Sequence, residues 1–115
     1  MNLAEIRSIQ FSLLKRETDP NKKHQAEYTK KKSAKFVFPL DFPRTEETFE
    51  LLVADMYKDL IYNAPEDTDS LGLWIEYDTI TIDNAISLVT LSDIKEYSKE
   101  EINPIWEFFK MTILE

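Results

Sequence analysis

Glu76 and Asp78 stand two residues apart, so on an extended chain they project from one face, with Asp83 a short way on. Carboxylates placed like this are the oxygen ligands that a hard divalent cation takes, and they would suit a small metal-dependent enzyme. The same alternation belongs to any strand with one solvent-facing side. The run Glu66-Asp67-Thr68-Asp69-Ser70 alternates oxygen-bearing side chains as a calcium loop does, without the central glycine and the distal glutamate that an EF-hand needs. His24 is the single histidine and has no serine–acid pair near it in sequence, so neither a triad nor a His-centred metal site is expected. Cysteine is absent, which removes disulfides, thiolate nucleophiles and Cys-ligated zinc. The lone glycine, Gly72, is too few for a P-loop or a dinucleotide fingerprint. No catalytic residue, metal or cofactor follows from a motif, and the expectation is a protein that is not an enzyme.

Charge is the more informative chemistry. Lys22, Lys23, Lys30, Lys31, Lys32 and Lys35 are six of the fourteen Lys and Arg residues of the chain, and only Glu27 opposes them between Pro20 and Lys35. Residues 1–35 carry nine basic and four acidic side chains, a net +5, whereas residues 36–115 carry five and eighteen, a net −13, which together give the −8 of the chain. Two surfaces of opposite sign attract different partners. The lysines, with Tyr28 among them as a stacking plane, would bind phosphates with salt-dependent affinity, the reading of a nucleic-acid-associated accessory protein. The acidic remainder would repel that same backbone and face a basic protein instead.

The elements that position these groups fit a single α+β domain, the natural size for 115 residues with 43% hydrophobic content. Residues 3–16 read as a helix with Leu3, Ile6, Ile9 and Leu13 on one face and Asn2 as its cap; a strand over 9–13, alternating Ile9, Phe11 and Leu13, competes with it. Asp19-Pro20-Asn21 ends that element, and residues 20–35 follow as a flexible basic stretch. A short edge strand spans 35–42, cut by Pro39. The strongest pattern is a central amphipathic helix over 46–62, with Phe49, Leu52, Val53, Met56, Leu60 and Ile61 inward, Thr45 as N-cap and Glu46 and Glu47 at the positive end of its dipole.

After an acidic loop, Leu73–Asp78 reads as a strand, then Thr79–Ile82 and Ala85–Leu91 as a hairpin turning at Asp83-Asn84. Parity slips near Asp78, which calls for a bulge or a strand break there. A C-terminal helix closes the chain, started by the capping box Ser98-Lys99-Glu100-Glu101 or by Asn103-Pro104, with Ile105, Phe109, Thr112 and Ile113 packed on the sheet.

On the helix 46–62 a second stripe, Leu51, Asp55, Lys58 and Tyr62, lies opposite the core, and exposed apolar and aromatic residues beside charge suit a protein interface. The expected function is therefore a non-catalytic acidic binding module, of the kind an immunity protein, an antitoxin or a phage-encoded inhibitor represents. It would occlude a basic surface of a partner such as a toxin or a nucleic-acid-processing enzyme. The residues assigned to that face are Glu46, Glu47, Glu50, Leu51, Asp55, Lys58, Tyr62, Glu66, Asp67 and Asp69. Complementary charge would raise the association rate and the specificity. With no signal-peptide core and no run of eighteen apolar residues, a cytoplasmic location is expected.

Overall fold

Residues 6–17 alternate side chains onto two surfaces, both of which are buried along most of their length. In the computed structural model, which describes residues 2–17, 27–97 and 103–113, Ile6–Glu17 is a twelve-residue strand, β1. This corrects the N-terminal helix. Only Leu3–Glu5 is helical, a single 3-10 turn in which Asn2 Oδ1 accepts from the Ala4 N–H at 3.0 Å. The physical reason is the second set of residues: Ile9, Phe11 and Leu13 are buried on one side, and Ser8, Ser12 and Leu14 on the other. A helix would bury one stripe and leave Phe11 outside it, whereas a central strand uses both parities.

Glu27–Val37 forms the edge strand β2, antiparallel to β1. Residues 27–35 are thus an ordered strand and not a flexible stretch, while Lys22, Lys23 and His24 lie outside the described residues. Register passes from Leu13 opposite Lys32 to Leu14 opposite Lys30, so Lys31 is the extra residue of a β-bulge. Of the strand expected over 35–42, only the first three residues belong to β2. Phe38 N–H donates to the Arg7 carbonyl at 2.9 Å, Pro39 has no donor to continue the ladder, and Phe42 N–H closes a turn on the Pro39 carbonyl at 3.1 Å.

Glu46–Ile61 is α1, one residue shorter than expected. Thr45 Oγ1 accepts from the Thr48 N–H at 3.2 Å and Thr48 Oγ1 accepts from the Thr45 N–H at 3.1 Å, a reciprocal cap that satisfies two otherwise orphaned donors. Ser70–Tyr77 is β3 and Thr81–Ser87 is β4. The chain reverses over Asp78–Ile80, where Tyr77 N–H donates to the Ile80 carbonyl at 2.8 Å. This is the break that parity required, and it corrects the hairpin: Asp83 and Asn84 are not a turn but sit inside β4 opposite Trp74 and Leu73. Leu88–Tyr97 is a helix, α2, where a strand was expected to run on to Leu91.

Pro104–Ile113 is α3. It starts at the second of the two expected sites, with Asn103 Oδ1 accepting from the N–H groups of Ile105 at 3.1 Å and Trp106 at 3.3 Å. The capping box at residues 98–101 lies outside the described residues.

The sheet order is β2-β1-β3-β4, antiparallel throughout. The core packs on one of its faces, where Ile9, Phe11, Leu13, Leu71, Leu73 and Ile75 meet Phe49, Val53 and Leu60 of α1 and Ile105, Phe108 and Phe109 of α3. Rings tie these layers together: Phe38 stacks on Phe49 at 4.9 Å, Phe49 lies 5.9 Å from Phe109, and Phe109 stacks on Trp106 at 5.3 Å.

Candidate functional site

Strand parity and the bulge send the three consecutive lysines of β2 to three different places. Lys32 points to the helical side, where its ammonium donates to the carbonyls of Asp59 at 2.9 Å and Tyr62 at 2.6 Å. Those are unsatisfied carbonyls at the negative end of α1, so Lys32 serves as a C-terminal cap supplied from the sheet. Lys31, at the bulge, pairs with Asp67 at 2.8 Å. This hydrogen bond holds the Asp67 carboxyl below its ordinary 3.8 and the Lys31 ammonium above its ordinary 10.5. Lys30 points to the other side of the sheet, its ammonium 4.5 Å over the ring of Trp74.

The acidic loop is engaged from the same direction. Asp69 accepts from the Arg16 backbone N–H at 2.9 Å, from Ser70 Oγ at 3.0 Å and from Lys15 Nζ at 3.3 Å. The backbone bond is the leading cause that lowers its carboxyl below 3.8. Asp67 and Asp69, both expected on a partner-binding face, are therefore already paired with the chain's own basic strands. Glu66 remains exposed beside them.

The outer face of α1 is different. Glu46, Glu47 and Asp55 are exposed, Glu50 is partly so, and none of the four carboxylates has an ion pair or hydrogen bond among the described residues. Leu51 is 68% exposed and Tyr62 73%. The sequence Glu47, Leu51, Asp55, Lys58, Tyr62 runs along one side of the helix at spacings of three and four. The structure thus brings together seven of the ten expected partner-binding residues on one helix and its C-cap.

The three carboxylates weighed as cation ligands part company. Asp78 is bound by Arg7, whose Nε donates to its Oδ1 at 2.5 Å. Glu76 and Asp83 lie on the open side of the sheet, and among the described residues no group of three or more His, Cys, Asp or Glu side chains is arranged to hold a metal.

That open side gathers residues weighed singly in the sequence around one that was not, Trp74. Tyr28, Lys30 and Lys35 of β2, Arg16, Leu14, Ser12 and Gln10 of β1, Gly72, Trp74 and Glu76 of β3, and Asp83 of β4 share it by register. The far edge of the Trp74 indole reaches over Gly72: a Cβ added there would meet the ring at 2.7 Å and Leu14 Cδ1 at 2.9 Å, so the glycine is the recess that receives the ring. A shallow cleft of about 230 Å³ opens beside the ring, lined by Leu14, Tyr28, Lys30, Trp74 and Asp83 among others. The signal available in the sequence was the pairing of a lone glycine with a tryptophan two residues on, which an extended chain puts on one face.

Fold and surface together define a two-layer α+β protein with one sheet face under helices and the other open. Comparison with protein-family models, with curated proteins and with solved structures gives no match. Among the described residues no helix is long and apolar enough to cross a membrane.

Proposed function

We propose that the chain is a non-catalytic binding module that docks the outer face of α1 on a basic protein surface and blocks it, as a stoichiometric inhibitor does. The observation that carries this reading is the set of α1 carboxylates with no partner among the described residues, Glu46, Glu47, Glu50 and Asp55, beside exposed Leu51 and Tyr62. Asp67, Asp69 and Asp78, by contrast, are each paired with a cation of the chain itself. Unpaired charge of one sign around an apolar and an aromatic anchor favours fast, salt-sensitive association with a surface of opposite sign. An immunity protein, an antitoxin or a phage-encoded inhibitor would use such a face against a toxin or a nucleic-acid-processing enzyme. Lys58 sits within the stripe and would select a partner with a carboxylate among its basic groups.

The test is affinity capture from the native cell with the wild-type chain and with the charge-reversed double variant Glu47→Lys/Asp55→Lys. One basic protein should be retained by the wild type, with association to the double variant slower by roughly tenfold or more at low salt. Leu51→Ala and Tyr62→Ala should each weaken the complex by about 1–2 kcal/mol through faster dissociation. Undiminished capture by the double variant would remove α1 as the docking face.

A further inference from the structure

We propose that the open face of the sheet is a second binding surface, one that takes single-stranded nucleic acid. It lies on the side of the sheet away from α1 and does not depend on the function proposed for that helix. Two aromatic planes stand on it within one cleft, Trp74 and Tyr28, the latter 41% exposed. Bases of any sequence stack on such planes, provided that cations track the phosphates alongside. Here Arg16, Lys30 and Lys35 lie on the β2 and β1 side of the face, with no carboxylate partner among the described residues. Glu76 and Asp83 lie on the β3 and β4 side. This polarity orients a strand across the sheet: phosphates along β2, bases reaching inward over Trp74. Asp83 across the cleft can accept from an exocyclic amino group, which favours cytosine, adenine or guanine over thymine.

Lys30 makes the site switchable. Its ammonium now lies over the Trp74 ring, 4.5 Å from the centroid, while the far edge of the ring reaches Gly72. An arriving phosphate draws the flexible side chain away, and the ring face it leaves is then free for the base. The lysine is thus a placeholder that exchanges a ring for a phosphate, and the ring stays covered in the unbound protein.

The experiment is a titration of the full chain with a short fluorescein-labelled oligodeoxycytidylate or oligoadenylate at low salt, read by anisotropy and by tryptophan emission. Binding with quenched emission is expected. Three cation–phosphate contacts should give a log–log salt slope of about −2. Tyr28→Ala and Lys30→Gln should each weaken binding on the order of tenfold, and Trp74→Phe, which keeps a plane, should change it by only about two- to threefold. Circular dichroism of each variant checks that the sheet is intact. Three results would overturn the proposal: neither oligonucleotide binds at low salt; both substitutions leave the affinity unchanged while Lys22→Gln/Lys23→Gln abolishes it; or polyglutamate competes as well as the oligonucleotide, which marks a surface for polyanions and not for bases.

Discussion

The two faces of one sheet are built on different principles. The covered face carries Ile9, Phe11, Leu13, Leu71, Leu73 and Ile75, fully buried and closed by the rings of α1 and α3. The open face carries serines, a glycine, lysines and one tryptophan, and on it Ser12 bonds Gln10 and Ser33 of the same sheet while Leu14 lies beside the Gly72 recess that receives Trp74. Burial therefore does not separate the two faces, because β1 is buried on both. What separates them is what does the covering. Helices cannot leave without unfolding the protein, whereas a tryptophan ring held under a lysine can move locally. The face that holds the fold together is on one side, and the surface free to change is on the other.

The largest expected effect tests that division directly. Phe109 is wholly buried between Phe49 and Trp106. Phe109→Ala should lower the unfolding free energy by about 3–5 kcal/mol, the loss of a core ring with partial collapse of its cavity. Tyr28→Ala, on the open face, should change it by no more than about 0.5 kcal/mol. Urea denaturation of both variants makes the comparison, and a cost at Tyr28 that matches the one at Phe109 would mean that the open face is a second core.

Gly72→Ala comes next. The new methyl group would lie 2.7 Å from the Trp74 ring and 2.9 Å from Leu14 Cδ1, both far closer than van der Waals contact. The ring must rise from the sheet, at a cost of about 1–3 kcal/mol as an overpacked site. Trp106, on α3, stays buried in the core, so a red shift of the tryptophan emission would report Trp74 alone. Unchanged stability and unchanged emission together would contradict the seating of the ring over Gly72.

How much of this was legible depended on whether one residue pattern answered to one element. The helix over 46–61 was legible because its apolar spacing, its Thr45 cap and its acidic first turn all agree. The segment 6–17 was not, because Leu3, Ile6, Ile9 and Leu13 also satisfy a helical stripe, and a twelve-residue strand buried on both sides has no polar alternation to give it away. The lysine triplet defeated the reading in another way. Three like charges in a row suggest a solvated segment, yet a bulge at Lys31 directs each of them to a different neighbour, and only the paired strands reveal it. The outer stripe of α1 was legible at the level of the helix; that Asp67 and Asp69 would be bound by β1 and β2 depended on contacts distant in the chain.

The smallest expected effects sharpen the same point within those three lysines. Lys32→Met removes two hydrogen bonds to the carbonyls that end α1 and a cation at the negative end of its dipole, for about 0.3–1 kcal/mol. Lys31→Met removes one partner of a solvent-exposed ion pair and should lower the denaturation midpoint at neutral pH only slightly. Its effect should appear in the acid limb. Asp67 and Asp69 have carboxyls lowered below 3.8 by the fold, so their contribution is present above that value and is lost as the pH falls through their depressed folded values. Without Lys31, Asp67 returns toward its ordinary value and the acid limb becomes shallower, while Asp69, held mainly by the Arg16 backbone, keeps its share. The alkaline limb works in the opposite sense. Burial raises Tyr57 and Tyr77 above 10.0 and Asp67 raises Lys31 above 10.5, so stability is full below those values and declines as the pH climbs past them. The tyrosine share of that decline should persist in Lys31→Met. Thermal melts across both limbs would separate the two contributions, and an acid limb identical to that of the wild type would show that the Lys31–Asp67 pair is not formed in solution.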